Sequence, residues 1–377
     1  MRVLFIGRYN PGELLSGPEK VAKRIFAEFV RDAECEALFA EYFFDGTMHS
    51  FWKKLLGRER PVPGEQRVLR LGIARLLALL CIWKPDVLAM MTYERFAAAP
   101  VRLASFLGIP VLVVVHGVVR YENAQLRPWI PGTLARRDER CERLLFRRAD
   151  VLVFLSAQAL EIARSIQPIR ADRIVVLPNG VDNCFAEVLR STSTDGTAPL
   201  RLLFAGDPGR PEKGWKTLSD ALEGLQTRTD VTVIAGLAPS IPGLGNERVR
   251  IRAVAARPAP ALASLMAEHD CVLVASGYEP FSLLAVESMA AGLAAVLTRE
   301  TGMARYVAGG ESALLFDAGD SHTLRQHIEL LGRDRALLRR LSAAGREAVR
   351  ELAWPKIAAM YRAVFERLIT GRRGASR

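Results

Sequence analysis

Glu279-Pro-Phe-Ser-Leu-Leu-Ala-Val-Glu287-Ser-Met-Ala-Ala-Gly292 is the stretch on which the reading of this chain turns. Upstream, Cys271-Val-Leu-Val-Ala275 predicts a buried strand, and Ser276-Gly277-Tyr278 a short loop delivering Glu279 to the mouth of a helix. The backbone N–H groups of Phe281, Ser282, Leu283 and Leu284 then have no intrahelical acceptor and face the loop. Such a helix start attracts an anion such as a diphosphate. Glu287 falls about two turns in, its carboxylate free to accept from vicinal hydroxyls. A carboxylate in an otherwise apolar helix of an α/β layer needs a reason. Two glutamates at this spacing also arise by chance. The Pro280-Phe281 pair, the apolar helix and the Ala-Ala-Gly before the strand Ala294-Ala-Val-Leu-Thr298 set this pair apart.

Outside this segment, the chain bounds its own class. Its 377 residues favour two domains, and a 50% hydrophobic content allows a core in each. A formal charge of +11 fits an anionic partner: a phosphorylated sugar donor, an acidic membrane surface or nucleic acid. It equally fits an arginine-rich proteome placing Arg on solvated faces. The basic residues are not interleaved with aromatics in any nucleic-acid signature, so no specific nucleic-acid partner is expected. Five widely spaced cysteines without a C-x-x-C pair give neither a zinc site nor a disulfide framework, and suit a reducing compartment. The N-terminal Met-Arg-Val-Leu-Phe-Ile-Gly is too short an apolar run for a signal peptide and reads as a strand. The longest charge-poor stretches, Leu76 to Trp83 and Phe281 to Thr298, are too short to span a bilayer or carry a Glu.

Strands and helices alternate along the first half. Strands are expected at Val3 to Ile6, Ala33 to Phe43, Val87 to Met91, Val111 to Val115 and Val151 to Phe154. Helices are expected at Pro18 to Phe29, Gln66 to Trp83, Phe96 to Leu107 and Thr133 to Arg148. The polar run Arg190-Ser-Thr-Ser-Thr-Asp-Gly-Thr-Ala198 reads as a linker, bounded at residues 191–198. A second alternation follows, with strands at Leu200 to Phe204, Val231 to Ile234, Val249 to Ile251, Val272 to Val274 and Ala295 to Leu297. The expected architecture is α/β: two doubly wound, Rossmann-like domains, residues 1–190 and 199–355. The tail from Asp320 is helical and arginine-rich, and Pro355 is expected to break it before a last helix over 356–377.

Three further segments carry candidate chemistry. Gly206-Asp-Pro-Gly-Arg210-Pro-Glu-Lys213-Gly214 joins a strand to a helix; its glycines allow a ligand near the backbone, and Lys213 offers a point charge to phosphate. It is also readable as a tight turn with a solvated lysine. His116, in Val115-His-Gly117, ends the fourth expected strand and faces the crevice where ligands of parallel sheets bind, unless it merely caps the strand end. Arg8-Tyr-Asn-Pro-Gly12-Glu-Leu-Leu-Ser-Gly17 links the first strand to the first helix; it is not a dinucleotide fingerprint, and is either a close-approach loop or a flexible one. Leu177-Pro-Asn-Gly-Val-Asp182 has turn chemistry and reads as structural. His49-Ser-Phe-Trp-Lys-Lys-Leu-Leu-Gly-Arg58 mixes aromatic, aliphatic and basic residues, and is an ordinary surface loop or a seat on an anionic bilayer. No D-x-D triplet offers a divalent metal a place on a diphosphate, so no metal is expected.

The Glu279–Gly292 stretch resembles the signature of retaining glycosyltransferases of the GT-B type, in particular the GT4 family, and the resemblance extends over nearly the whole chain. It is strongest from Leu200 to Asp317 and weak from Phe43 to Lys84. Lys213-Gly214 matches the family's phosphate loop, although Asp207 stands where Arg is usual, and Arg210 is near enough in sequence to substitute for it. Gly302 matches a Gly-Gly-x-Pro-Glu motif whose Pro and Glu are missing in Thr301-Gly-Met-Ala-Arg305. The resemblance implies two domains facing across a cleft, with the last helix crossing back to the first. It implies a nucleotide-sugar co-substrate, no other cofactor, and a saccharide or lipid-linked acceptor. A cytoplasmic enzyme is expected, either free or peripheral on the inner face of the membrane. Glu287 would hold ribose hydroxyls. Arg210, Lys213 and the amides of Phe281, Ser282, Leu283 and Leu284 would hold the diphosphate, with Gly17 near the donor phosphate. His116 and Glu279 would contact the donor sugar. Two alternatives stay open: a degenerate GT-B protein that binds without turnover, and a GT-B sugar-nucleotide epimerase.

Overall fold

The computed structural model describes residues 1–42, 65–93, 97–126, 130–188, 198–236 and 246–375. The His49–Arg58 segment and most of the expected linker lie outside the described residues. In chain order the elements are β1 (Arg2–Ile6), α1 (Gly17–Arg31), β2 (Glu36–Tyr42), β3 (Val68–Leu71), α2 (Ile73–Trp83), β4 (Val87–Met90), α3 (Ala98–Phe106) and β5 (Val111–Val115). There follow α4 (Val119–Gln125), α5 (Gly132–Arg148), β6 (Val151–Phe154), α6 (Ala157–Ile166), β7 (Ile174–Val176) and the one-turn α7 (Asn183–Ala186). The second alternation comprises β8 (Leu200–Ala205), α8 (Trp215–Glu223), β9 (Thr229–Ala235), β10 (Val249–Ala255), α9 (Ala259–Ala267), β11 (Cys271–Val274) and α10 (Leu283–Ala290). It ends with β12 (Ala294–Thr298), β13 (Leu314–Phe316), α11 (Ser321–Arg333), α12 (Arg335–Ala348) and α13 (Trp354–Ala375).

Two compact units result. The first comprises Met1–Leu155, Ala159–Pro178 and Trp354–Arg377; the second comprises Ser156–Gln158 and Asn179–Ala353. The first unit holds a parallel sheet in the order β3-β2-β1-β4-β5-β6-β7, with Leu4 opposite both Leu38 and Leu88. The second holds a parallel sheet in the order β10-β9-β8-β11-β12-β13. Both sheets reverse their winding once, between β1 and β4 and between β8 and β11. Ligands of such sheets bind outside the carboxyl ends of the strands at these reversals.

Burial on both faces explains the strand sequences. Val111–Val115 is apolar at every position and buried throughout, as a central parallel strand must be. One face of the first sheet carries the aliphatic core under α2, α3 and α5. The other is aromatic: Phe5 meets Phe26, Phe29 and Phe365 edge-on at 5.6, 5.4 and 6.2 Å. Phe365 lies on α13, which packs along α1, and Arg362 of α13 binds Asp32 and Glu34.

Three expectations about elements need correction, and two strands are added. Gln66 to Trp83 is not one helix: Val68–Leu71 is an edge strand paired with β2, and α2 starts only at Ile73. Two apolar runs with different periods had merged into one reading. His116 therefore ends the fifth strand of its sheet, not the fourth. Pro355 does not interrupt a helix but occupies the second position of α13, where its missing N–H has no partner to lose. The three-residue strands β7 and β13 were too short to show a period.

Candidate functional site

In the second unit, the loops after β8 and β11 leave the sheet side by side, flanking its reversal. The first closes over Asp207, whose Oδ1 accepts from the Gly209 N–H at 2.9 Å and whose carbonyl accepts from Arg210 N–H at 2.9 Å. A short 3-10 turn over Pro211–Lys213 brings the chain to Gly214, which sits at φ +75° as the N-cap of α8. A Cβ there would stand 1.9 Å from the carbonyl oxygen of Ala275. Only glycine lets the two loops approach this closely, and Gly277 N–H donates to the Glu212 carbonyl at 2.9 Å beside them.

This contact places Lys213 against Glu279: Nζ donates to Oε2 at 2.6 Å, with both side chains 23% exposed. Glu279 is fixed by its backbone, which pairs with Glu300 to Gly302. Gly302 is itself a close-approach residue; a Cβ would meet the Pro280 carbonyl oxygen at 2.1 Å. That oxygen also accepts from Ser156 Oγ at 2.8 Å.

The helix behind this loop starts later than the sequence suggests. Ser282 is its N-cap, at φ +83°, a conformation unusual for a residue with a side chain. Such strain costs about 1–3 kcal/mol and persists where the surroundings dictate it. Ser282 Oγ accepts from the Ala285 N–H at 3.3 Å. Among the described residues, the N–H groups of Phe281, Ser282, Leu283 and Leu284 have no acceptor. The Phe281 ring itself is buried against Tyr306, 5.6 Å between centroids, so that residue offers only its amide. Glu287 lies on α10 and is 4% exposed, more enclosed than the open acceptor expected.

Arg210 is not aimed as Lys213 is. Its guanidinium is bound to Glu212 at 2.5 Å and is 55% exposed. Asp207 has a structural occupation as the closer of the turn.

The first unit assembles a second corner at the end of β5. His116 Nε2 lies 2.8 Å from the Met91 carbonyl oxygen. Burial pushes its pKa down to about 4, against the raising effect of that hydrogen bond. At neutral pH the imidazole is uncharged, donates through Nε2–H to Met91 and leaves Nδ1 as an acceptor. Next to it, Glu142 of α5 is buried and accepts from the Val119 and Arg120 N–H groups at 2.6 and 3.3 Å and from Tyr93 OH at 3.2 Å. Glu142 thereby caps α4 and braces the turn that carries His116 and Gly117. Burial raises its pKa to about 7, with Glu122 adding to the shift. A Cβ on Gly117 would collide with Glu122 Oε1 at 1.8 Å.

Gly17 is exposed as the first residue of α1. The loop before it is tied down: Lys23 Nζ donates to the carbonyls of Asn10, Pro11 and Gly12 at 3.3, 3.1 and 3.2 Å. Sequence reasoning missed Glu142, Tyr93 and Lys23. The only sequence signal for Glu142 was a carboxylate on the apolar side of an amphipathic helix. Among the described residues, no group of three or more His, Cys, Asp and Glu could hold a metal ion, and no helix is long and apolar enough to cross a membrane.

Residues 29–180 match the family described as Glycosyl transferase 4-like domain, and residues 209–348 match Glycosyl transferases group 1. Glycogen synthase of Mycobacterium tuberculosis is 28% identical over 287 residues, covering 73% of this chain and 67% of that protein. Phosphatidyl-myo-inositol mannosyltransferase of Mycobacterium leprae is 32% identical over 207 residues, covering 52% of this chain and 54% of its own length. In structure the chain resembles sucrose-phosphate synthase of Thermosynechococcus elongatus, with a TM-score of 0.74 at 18% identity, over 98% of this chain and 99% of the other. It also resembles Anabaena HepE in complex with UDP-glucose, with a TM-score of 0.70 at 19% identity, over 97% and 99% of the two chains. The two doubly wound units are those of a GT-B fold. The chain belongs to the GT4-like, group 1 glycosyltransferases.

Proposed function

We propose that this protein moves a sugar from a nucleotide-sugar donor to a saccharide or lipid-linked saccharide acceptor, with retention of configuration and without a metal ion. The observation that carries the reading is the Lys213–Glu279 pair, 2.6 Å apart, beside the unaccepted amides of α10. A donor's diphosphate accepts from that ammonium and those amides. The carboxylate takes a sugar hydroxyl and steadies positive charge growing at the anomeric carbon. Glu287 takes the ribose hydroxyls. The acceptor hydroxyl approaches from the face that the diphosphate leaves, so no protein nucleophile is needed. For His116 the family role is contact with the donor sugar, through an imidazole that stays neutral. UDP and UDP-glucose, found with HepE, are the first donors to try. A relative named as a phosphatidyl-myo-inositol mannosyltransferase makes a lipid acceptor the first to try. The setting that fits is bacterial polysaccharide or glycolipid synthesis on the cytoplasmic side of the membrane. The non-catalytic alternative rests on Asp207 and on the missing Pro-Glu after Gly302; Asp207 has its own work in closing the turn.

The test is calorimetric titration with UDP, GDP, ADP and dTDP, repeated on Lys213→Ala and Glu287→Ala. Selective binding of one nucleotide, weakened in both variants, is expected. Incubation with the matching sugar nucleotide in EDTA should then give a product with the donor's anomeric configuration by NMR. A folded protein that binds none of the four, or that inverts the anomer, would overturn the reading.

A further inference from the structure

The α2, α3 and α5 helices lie side by side on one face of the first sheet. Leu76 and Leu80, Val101 and Ala104, and Cys141 and Leu145 sink from them into one aliphatic core. The outward sides of the same helices are unlike an ordinary solvated surface. On α5, Arg136, Arg140, Arg143 and Arg147 are all exposed and fall within an arc of about 60°, directly opposite the buried residues. On α3, Arg102 and Phe106 stand one turn apart and outward, with Phe106 85% exposed. On α2, Ile82 is 80% exposed, in line with exposed Arg75 and Ala78. Every exposed charged side chain on these three helices is an arginine; Asp138 and Glu139 are half-buried and Glu142 is buried.

We infer that this face is a docking surface for an anionic phospholipid bilayer. A cationic stripe flanked by large exposed apolar side chains is what the boundary between headgroups and acyl chains rewards. Arginine forks pair with lipid phosphates, and Phe106 and Ile82 enter below them. A nucleic acid would use the arginines and leave Ile82 and Phe106 wet. A second copy of the face would repel the first. The docking is peripheral, since none of the described helices can span a bilayer. The stripe on α5 runs along the layer, so a bilayer against it lies beside the carboxyl edge of the sheet, where His116 sits, rather than over it. The inference rests on the sugar-transfer reading only for its purpose, delivery of a lipid-linked acceptor; the surface itself is argued from its own residues.

The experiment is cosedimentation of the full chain with vesicles of phosphatidylcholine alone or with about 30 mol% phosphatidylglycerol, at about 0.1 and 0.5 M salt. Binding should be at least about tenfold stronger to the anionic vesicles and should fall at high salt. The double variant Arg140→Glu/Arg143→Glu and the variant Phe106→Ser should each weaken it about tenfold while keeping the wild-type melting temperature and UDP titration. A control, Arg339→Glu/Arg340→Glu in the second unit, should bind vesicles like wild type. Absent binding, equal binding to neutral vesicles, variants that bind as well as wild type, or tighter binding to duplex DNA than to vesicles would each overturn the proposal. The nucleotide titration fails or succeeds separately, so the loss of one reading is distinguishable from the loss of the other.

Discussion

The corner around Lys213 and the corner around His116 are built on opposite principles. The first is a backbone construction: two glycines admit carbonyl oxygens where a side chain would collide, and one helix start leaves its amides bare. The second is a side-chain construction: a histidine held by one carbonyl, on a turn braced by a buried carboxylate from a different helix. A backbone site depends on which residue has no side chain, and is brittle at those positions. A propped site depends on charge and burial, and responds to pH.

The largest effect expected is at Gly214. Gly214→Ala should destabilise the second unit by more than the roughly 1–3 kcal/mol of backbone strain, because the new Cβ also meets the Ala275 oxygen at 1.9 Å. Gly277→Ala, two residues beyond Ala275 and with no atom within 4 Å of its would-be Cβ, should stay within about 0.5 kcal/mol. Urea unfolding of the two variants checks this, and equal losses would break the idea that backbone approach builds the corner.

Lys213→Ala comes next, with donor nucleotide affinity expected to fall about 10- to 100-fold in calorimetry. Arg210→Ala should cost less than about fivefold, since an exposed guanidinium already tied to Glu212 has less to give. Near-equal losses, as would follow if Arg210 substitutes for the usual Arg, require a nucleotide to pull Arg210 off Glu212.

The propped corner should show itself through pH. Glu142 holds its proton up to about 7 in the fold, whereas an unfolded carboxyl releases it near 4.5. Its contribution is fully present below about 4.5 and is lost as pH rises through about 7. Wild type should therefore lose stability relative to Glu142→Gln between pH 5 and 8. His116 has the opposite sign: with its pKa lowered to about 4, its contribution is present above 6.5 and lost as pH falls through 4. Chemical unfolding across that range measures both, and a pH-independent difference between wild type and Glu142→Gln would dissolve the contrast. The smallest effect belongs to Asp207→Asn, which keeps the acceptor for the Gly209 N–H and should change stability by under about 0.5 kcal/mol in the same unfolding assay.

These differences also explain what could be read in advance. The second unit's corner was legible because its determinants are contiguous: Lys213-Gly214 in one turn, Glu279 to Leu284 in another. Of the strands that frame it, β11 is a continuous apolar run and β8 is apolar but for Arg201. What was not legible was that the lysine and the glutamate touch, because their loops, 66 positions apart, are brought together by the β8–β11 pairing and the Gly214–Ala275 approach. The His116 corner was legible as one residue at a strand end. Its brace lies 26 positions on, in a helix whose arginines dominate its sequence pattern. The edge strand Val68–Leu71 was lost to an adjoining apolar helix for the same reason: a short element beside a long one takes on its period.

The aromatic packing of α13 onto α1 has a consequence for how the chain is made. The first unit owns both residues 1–155 and the helix that begins at Trp354, so its aromatic layer stays unfinished until the ribosome has delivered the entire second unit. The second unit is nearly contiguous and is complete before α13 emerges. In synthesis the second unit thus has all its residues before the first does, and the layer of Phe5, Phe26 and Phe29 receives Phe365 last.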